Sequence, residues 1–409
     1  MDRRIVVTGL GLNNCLGNTV NEFWESLLAS RNGIGKINCF NSDGLFTFKA
    51  GQVKNLDFDQ FLDKKEVKET DRFALLALMA AQDAILDSGL CFEKEDPFRR
   101  GVVLGSGIGG MMFYETQIRK YYNANENHRE VHPIAVQKIT PNALSGRIAM
   151  KFNCQGPNLT ISTACSSSNH AIGVAMNSVR SGETDIMLAG GAEAPLMPVN
   201  FSSFDNMRVM SRNNICRPFD LNRDGFLMGE GAAILILEEL EHAKKRNAKI
   251  YAEIVGYGRT CGAYHMVKVR EGGADEARAI GLALENANIG INQIDYINAH
   301  GTGTVSNDIS EAGAINKVFG KKVKDIYVSS IKGALGHLIG AAGATEAVAT
   351  VLSINRSVIP PNVNYEKRDA QCDLNIPKKP VEKEVNIAIS NAFGFGNNNA
   401  VIAFKNFGG

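Results

Sequence analysis

Cys165 lies in the run Asn158-Leu-Thr-Ile-Ser-Thr-Ala-Cys165-Ser-Ser-Ser-Asn-His170. A β-type stretch, Leu159 to Ser162, stops at small residues, and a helical pattern begins at the cysteine. A thiol at the first turn of a helix feels the positive end of the helix dipole and the unpaired N–H groups there. Both favour thiolate, the nucleophilic form. Two histidines follow in glycine-rich surroundings, Asn298-Ala-His300-Gly-Thr-Gly-Thr304 and Lys332-Gly-Ala-Leu-Gly-His337. One cysteine and two histidines, framed by residues small enough to admit a substrate, point to covalent acyl transfer. Lys332 and Glu311 flank these histidines in sequence. On a surface they would form an ordinary ion pair; beside a site they would orient an imidazole and set its protonation state. Ala392-Phe393-Gly-Phe395-Gly-Asn-Asn-Asn399 reads either as a plain hairpin turn or as a mobile loop. Such a loop would supply a backbone N–H to an oxyanion and an aromatic gate over an apolar tunnel.

The other cysteines, at 15, 39, 91, 154, 216, 261 and 372, have no such frame and form no C-x-x-C pair. They read as core or surface thiols in a reducing cytoplasm, with neither a metal site nor a disulfide scaffold expected. His128, His132, His170, His242 and His265 read as ordinary structural donors. Gly105-Ser-Gly-Ile-Gly-Gly110 fits G-x-G-x-x-G after a strand, but it lies far from the N-terminal strand. No strand ending in an acidic residue follows about 20 residues on, as the ribose contact of a dinucleotide requires. Close packing of this loop against another segment is the better reading. Basic residues cluster at Lys64, Lys65 and Lys68, at Arg208 and Arg212, and from Lys244 to Lys249. These are solvated faces unless one flanks a site entrance, where it would suit an acidic protein partner.

Lys and Arg number 44 against 43 Asp and Glu, a formal charge of +1, so no global attraction to nucleic acid or an anionic membrane follows. With 44% hydrophobic and 21% charged residues, the 409-residue chain has the composition of a soluble globular protein with a large core. No run of about 20 apolar residues occurs, so no membrane span is expected. The opening Arg3-Arg4 and its short apolar run, broken at Gly9, read as a first strand and not as an export signal.

Strand-like runs alternate with helical patterns, which makes the class α/β. Ile5 to Thr8, Gly101 to Gly105, Ile186 to Gly190 and Ala232 to Leu237 read as buried strands; Asp71 to Leu86 and Ser166 to Arg180 read as helices. The second part echoes the first. Ile254-Val-Gly-Tyr-Gly258 repeats the pattern of the first strand, Asp275 to Ala287 that of the first long helix, and Ile297 to Gly303 that of the strand before the glycine loop. Val328-Ser-Ser330 with the helix Gly340 to Leu352 repeats the Cys165 strand and helix. The expectation is an internal duplication, residues 1–248 and 249–409, with the catalytic groups meeting at the junction.

These motifs, in this order and nearly end to end, resemble the β-ketoacyl-acyl-carrier-protein synthases of the elongating type I/II class, within the thiolase superfamily. The resemblance rests on Thr163-Ala-Cys-Ser-Ser167, Arg217-Pro-Phe-Asp220, Arg223-Asp-Gly-Phe226, His300-Gly-Thr-Gly-Thr304, Lys332 to His337 and Asn391-Ala-Phe-Gly-Phe-Gly396, together with the opening strand and the Gly105 loop. It implies a thiolase-like fold of duplicated halves in a five-layer αβαβα arrangement. It implies decarboxylative condensation of an acyl chain, held on Cys165, with malonyl-acyl-carrier protein in fatty acid elongation. His300 and His337 would hold the malonyl thioester carbonyl, and Lys332 and Glu311 would support them. The N–H groups of Cys165 and Phe395 would form the oxyanion hole, with Phe395 also the gate. Phe226 would press on the malonyl carboxylate, Thr302 and Thr304 would meet the pantetheine arm, and Ile108, Ala135 and Phe393 would line the substrate path. Lys65, Lys68 and Arg208 would face the acidic carrier protein. No cofactor or metal is implied beyond the carrier's phosphopantetheine. The partner is a second copy or a chain-length-factor-like subunit, and the location is cytoplasmic.

Departures from the family pattern leave a second pathway open. The gate loop reads Gly394-Phe-Gly-Asn-Asn-Asn399 where relatives commonly have Gly-Phe-Gly-Gly-Thr-Asn, Val267 stands where a Thr is common, and Ala135 where a bulky aromatic is common. A wider tunnel, and a ketosynthase subunit of a type II polyketide or polyene pathway, fit these changes. A degradative thiolase would need a second catalytic cysteine near the C-terminus, and a non-catalytic chain-length factor would lack Cys165. A nicotinamide oxidoreductase would rest on the glycine loop alone.

Overall fold

The computed structural model describes residues 3–408; residues 1, 2 and 409, at the outer ends of the two expected halves, lie outside the described residues. Ten strands make one hydrogen-bonded sheet. The first five are β1 (Ile5–Asn13), β2 (Arg100–Gly105), β3 (Asn158–Ile161), β4 (Ile186–Glu193) and β5 (Gly231–Glu239). The next five are β6 (Ala252–Cys261), β7 (Tyr296–Asn298), β8 (Tyr327–Ser329), β9 (Ile387–Gly394) and β10 (Asn398–Lys405). Their spatial order is β8-β7-β9-β10-β6-β1-β5-β4-β2-β3. The two ends mirror each other: β1-β5-β4-β2-β3 on one side matches β6-β10-β9-β7-β8 on the other. In each half the first two pairings are antiparallel and the last two parallel. The halves join where β1 pairs antiparallel with β6.

Five helices complete the layers: α1 (Arg72–Ser88), α2 (Ser167–Arg180), α3 (Ala274–Ala287), α4 (Val305–Phe319) and α5 (Ala342–Arg356). α1 covers β1, β4 and β5 from outside, and α3 does the same for β6 and β10, with α4 packed against α3. α2 and α5 pack on each other and touch strands of both halves, which makes them the middle layer of αβαβα. Their sequences explain the placement. Every residue of α5 from Ala342 to Ile354 is buried, and its polar members return their hydroxyls to the preceding turn, as Thr350 Oγ1 does to Glu346 O at 2.7 Å. A helix with no wet face belongs in the interior. α1 begins at an N-cap, Asp71, and ends where Gly89 takes a left-handed turn.

Element starts move by at most two residues from the sequence reading, while some ends extend further: β1 runs to Asn13 instead of Thr8, and α5 to Arg356 instead of Leu352. α5 starts at Ala342 because Ile339–Ala341 forms a separate tight turn beside His337, with Ile339 at φ 49°. α4 and the helix Met111–Asn123 were not anticipated, since their polar, aromatic and glycine-flanked sequences lack a clean apolar period. Among the described residues, no helix is long and apolar enough to cross a membrane.

The duplication extends to backbone packing. A Cβ on Gly11 in β1 would collide with the carbonyl oxygen of Ala80 in α1, and one on Gly258 in β6 with that of Ala279 in α3. Both strands need glycine so that the outer helix can lie flat on them. Gly258→Ala is expected to cost about 1–3 kcal/mol of stability through overpacking. Gly281→Ala, in α3 with open space around it, is expected to be neutral or stabilising by up to about 1 kcal/mol. Urea denaturation of the two variants checks the contrast.

Candidate active site

β3 delivers the chain to a sharp turn. Ala164 sits at φ 53°, a left-handed angle unfavourable for alanine, and this turn presents Cys165 just ahead of α2. The turn is held from within: Thr163 N donates to Ser167 Oγ at 2.9 Å, and Ser166 Oγ donates to Thr163 O at 2.9 Å. The helix therefore starts at Ser167, two residues later than the sequence suggested. The gate turn passes directly over this elbow. A Cβ on Gly394 would lie 2.7 Å from Thr163 O and 3.2 Å from Cys165 N, so only glycine fits there. The Phe395 N–H reaches the Cys165 sulfur.

His300 follows β7 and His337 follows the short helix Lys332–Leu335 after β8. Both rings are buried, at 2% exposure each, and their centroids lie 5.4 Å apart at 83°. Donor atoms of Cys165, His300 and His337 all lie within 4.8 Å of one another. The hydrogen-bond network assigns the tautomers. The Lys332 ammonium, a donor only, stands 3.3 Å from His300 Nδ1, and the Ile339 N–H donates to His337 Nδ1 at 3.1 Å. Each Nδ1 must accept, so each Nε2 carries the hydrogen. His337 Nε2 is buried without a hydrogen-bond partner among the described residues.

The expected Lys332–Glu311 pair is not what the fold builds. Lys332 Nζ pairs with Glu346 of α5 and donates to the His300 carbonyl. Glu311, in α4, instead clamps the backbone: its two oxygens accept the N–H groups of His300 at 2.8 Å and Gly301 at 2.7 Å, and Asn391 Nδ2 donates to it at 3.0 Å. Sequence distance could not separate the two acids. Only the docking of α5 in the middle layer brings Glu346 under Lys332.

Burial dominates the titration of the site. Desolvation pushes the Cys165 thiol up to about 11, against the opposing pull of Lys332 and the Phe395 N–H. On this balance the resting group is a thiol, where the sequence expectation was a thiolate. Burial, reinforced by the Lys332 charge, holds both His300 and His337 well below the usual histidine range, so both rings are neutral. Glu311 is pushed up to about 7 by burial.

A cavity of about 400 Å³ opens onto Cys165, His300 and His337. Phe226, Phe393, Phe395, Thr302, Thr304 and Arg208 also line it. Phe226 meets the edge of His337 at 5.3 Å, and Phe393 meets His300 at 6.0 Å. Ile108 and Ala135 do not line this cavity; Ala135 is buried in a separate short helix, Ala135–Ile139. Lys65 and Lys68 are exposed on the helix Lys64–Glu69 and do not line it either. Sequence reasoning missed Phe204, whose ring stacks on Phe395 with centroids 6.4 Å apart; it sits in an ordinary helix with no motif. It also missed Glu193 at the end of β4. This buried carboxyl takes Ser106 Oγ at 2.9 Å, Ile108 N at 3.3 Å and Gly340 N at 2.9 Å, and desolvation pushes it up to about 7. The dinucleotide-like glycine loop thus wraps a carboxyl group of the protein's own.

Cys165, His300 and His337 are also a donor set that a soft divalent cation accepts. Coordination through either Nε2 would require the proton to move to Nδ1, where Lys332 or the Ile339 N–H already donates. The network therefore opposes a metal and favours a pair of N–H donors.

Comparison with known proteins gives a consistent result. Residues 2–243 match the family model for the N-terminal domain of beta-ketoacyl synthase, and residues 251–366 match that for its C-terminal domain. The chain is 41% identical to 3-oxoacyl-[acyl-carrier-protein] synthase 2 of Synechocystis sp., over 99% of this chain and 98% of that one. It is 39% identical to the protein of the same name from Staphylococcus aureus, over 99% of each. Among solved structures it aligns with the ishigamide ketosynthase/chain length factor at a TM-score of 0.95, with 33% identity over 100% of both chains. It also aligns with a type II polyketide synthase acyl-carrier protein in complex with its ketosynthase bound to the hexaketide, at 0.91, with 34% identity over 99% of both.

Two measurements follow from the electrostatics. Glu346→Ala strands a buried ammonium and is expected to lower stability by about 3–5 kcal/mol, while adding Lys332→Met recovers most of that loss; denaturant melts of the single and double variants check it. Alkylation of Cys165 by iodoacetamide is expected to accelerate with pH from about 7 to about 9.5 without a plateau. A plateau in that range would mean a resting thiolate.

Proposed function

The chain belongs to the beta-ketoacyl synthase family, and we propose that it elongates acyl chains in fatty acid synthesis by condensing them with malonyl-acyl-carrier protein. One observation carries the mechanism: a sulfur and two imidazoles, each with its N–H at Nε2, share one buried cavity. That set provides an acyl acceptor and a holder for an enolate.

The Cys165 sulfur attacks the acyl thioester and its proton passes to the carrier sulfur, since neither imidazole offers a free acceptor nitrogen. The oxyanion rests on the N–H groups of Cys165 and Phe395. The carrier thiol leaves with the proton, and the acyl chain stays on Cys165. Malonyl-carrier then enters past Thr302 and Thr304. The Nε2–H groups of His300 and His337 bind its thioester carbonyl, and Phe226 presses on its carboxylate. The bond to CO₂ breaks and its electrons become the enolate held by the two donors. The enolate carbon attacks the acyl carbonyl, the new carbon–carbon bond forms, and the sulfur departs and recovers a proton. Lys332 and Glu311 keep His300 in place, Phe393 backs its ring, and Phe395 gates entry. Ile108 and Ala135 line the acyl path beyond the cavity. The only prosthetic chemistry is the carrier's own pantetheine arm.

Arg208 at the cavity mouth, with Lys65 and Lys68 on the surface, would meet an acidic carrier. The work would be done in the cytoplasm. A second subunit, identical or chain-length-factor-like, would cover two exposed features. One is the outer edge of β3, where Leu159 is 50% exposed; the other is the helix Met111–Asn123, whose Met111, Tyr114, Ile118 and Tyr122 face solvent. The likeness to the ishigamide ketosynthase/chain length factor supports the alternative, a ketosynthase subunit of a type II polyketide or polyene pathway.

Intact-protein mass spectrometry after incubation with acyl-carrier protein is expected to show one acyl group on the wild type and none on Cys165→Ala. Condensation retained by that variant would refute the role. His337→Ala is expected to slow CO₂ release from malonyl-carrier by about 10²-fold or more while leaving acylation of Cys165 intact. A panel of acyl-carrier proteins, assayed with the chain alone and with candidate partner subunits, separates the two pathways. Turnover of ordinary fatty acyl chains by the chain alone supports elongation and counts against the widened tunnel at Ala135.

A further inference from the structure

Glu276, the third residue of α3, is an acid at the cavity wall that the reaction above does not use. The residue is only 4% exposed. Its Oε1 accepts from Ser310 Oγ at 3.1 Å, and its Oε2 is buried without a partner among the described residues. Among the described residues no cation pairs with it: Arg270, the nearby base, pairs with Asp275 at 3.1 Å. An unmatched carboxyl oxygen of this kind is expensive to keep unless something else supplies a donor.

Its position says what that donor belongs to. The same Ser310 hydroxyl, with its one hydrogen, also lies 3.3 Å from Arg270 O as an alternative acceptor, which places Glu276 beside the mostly exposed segment 263–270. Val267 and Val269 of that segment line the same cavity, as do Val305 and Asn307 from the start of α4. Glu276 therefore stands where the cavity passes under an exposed strap, on the entrance side. A passing group meets apolar valines, the Asn307 side chain and the Glu276 carboxyl. An uncharged arm with amide N–H groups would fit that acceptor.

We propose that Glu276 is a specificity-determining residue whose free carboxyl oxygen accepts a hydrogen bond from an amide N–H of the thioester arm. This rests on the reading that carrier-bound thioesters use this cavity, and it adds an acceptor to the contacts at Thr302 and Thr304. Burial raises the Glu276 carboxyl above its usual range. Protonation removes the acceptor charge, so binding of the arm weakens as pH falls.

The test is condensation on pre-acylated enzyme with two malonyl donors, the pantetheine thioester and an ethyl thioester that has no amide. Glu276→Ala is expected to raise KM for the pantetheine donor about tenfold, the worth of one hydrogen bond to a charged group, with kcat within about twofold. On the ethyl thioester the KM change shrinks to less than about twofold. Glu276→Gln, which keeps the shape, is expected to give a smaller rise and a KM that no longer climbs as pH falls. Equal losses on both donors with a lowered Tm would assign Glu276 to packing, and no loss on either would leave it unused; each result overturns the proposal. Failure of the broader reading looks different, since the wild type would then turn over neither donor.

Discussion

The Lys332 ammonium is 1% exposed, and a charge buried that deeply must keep every partner it has. Its partners are Glu346 in the middle layer, the His300 carbonyl and His300 Nδ1. None of the three can be given up without leaving an ion in a medium that solvates it poorly. That constraint fixes the distance between α5 and the His300 loop, and it also fixes which nitrogen of His300 carries hydrogen. Glu311 completes the clamp from α4 by taking the two successive backbone N–H groups of the same loop. A histidine held by backbone and ring together cannot swing away, and its Nε2–H is left as the free donor in the cavity.

The duplication explains why the site assembles at the junction. In each half, the strand at one end of the sheet feeds a tight turn and then a middle-layer helix. In the first half that turn carries Cys165 before α2; in the second, the segment between β8 and α5 carries His337. The neighbouring strands β2 and β7 each run into a glycine loop. One loop holds His300, and the other encloses Glu193, whose carboxyl also accepts from Gly340 of the turn beside His337. Equivalent positions of two copies thus hold nucleophile, imidazoles and anchors, and the packing of α2 on α5 brings them face to face.

Much of this was legible in the chain. The frames around Cys165, His300 and His337 are small residues at loop positions, and small residues at such sites are visible without coordinates. The repeated order of strands and helices was legible because glycine-bearing strands and alanine-rich helices recur. What stayed hidden depended on which helix packs where. Glu346 lies in an apolar-looking helix, and nothing in its neighbours says it faces a lysine. Phe204 and Glu276 belong to helices whose sequences carry no motif. The state of the thiol was misread for a similar reason. A helix N-terminus can be seen in sequence, but the depth at which the sulfur is buried cannot, and that depth pushes the thiol upward.

A protonated sulfur beside two neutral rings has a consequence for the order of events. In a cavity this dry, a standing thiolate and imidazolium would each bear a desolvation cost before any substrate arrived. The site instead stores its polarity in fixed dipoles: two Nε2–H groups, the N–H of Phe395 and the start of α2. These need no reorganisation when charge appears on an oxygen. Charge therefore develops only while a thioester occupies the cavity, first as an oxyanion near Cys165 and later as an enolate near the histidines. The Lys332–Glu346 pair is neutral as a unit, so it sets ring orientation without trapping either anion permanently. The same burial that makes the free thiol a weak nucleophile keeps water from the acyl-enzyme and from the carbanion, which is the environment that carbon–carbon bond formation in the proposed reaction requires.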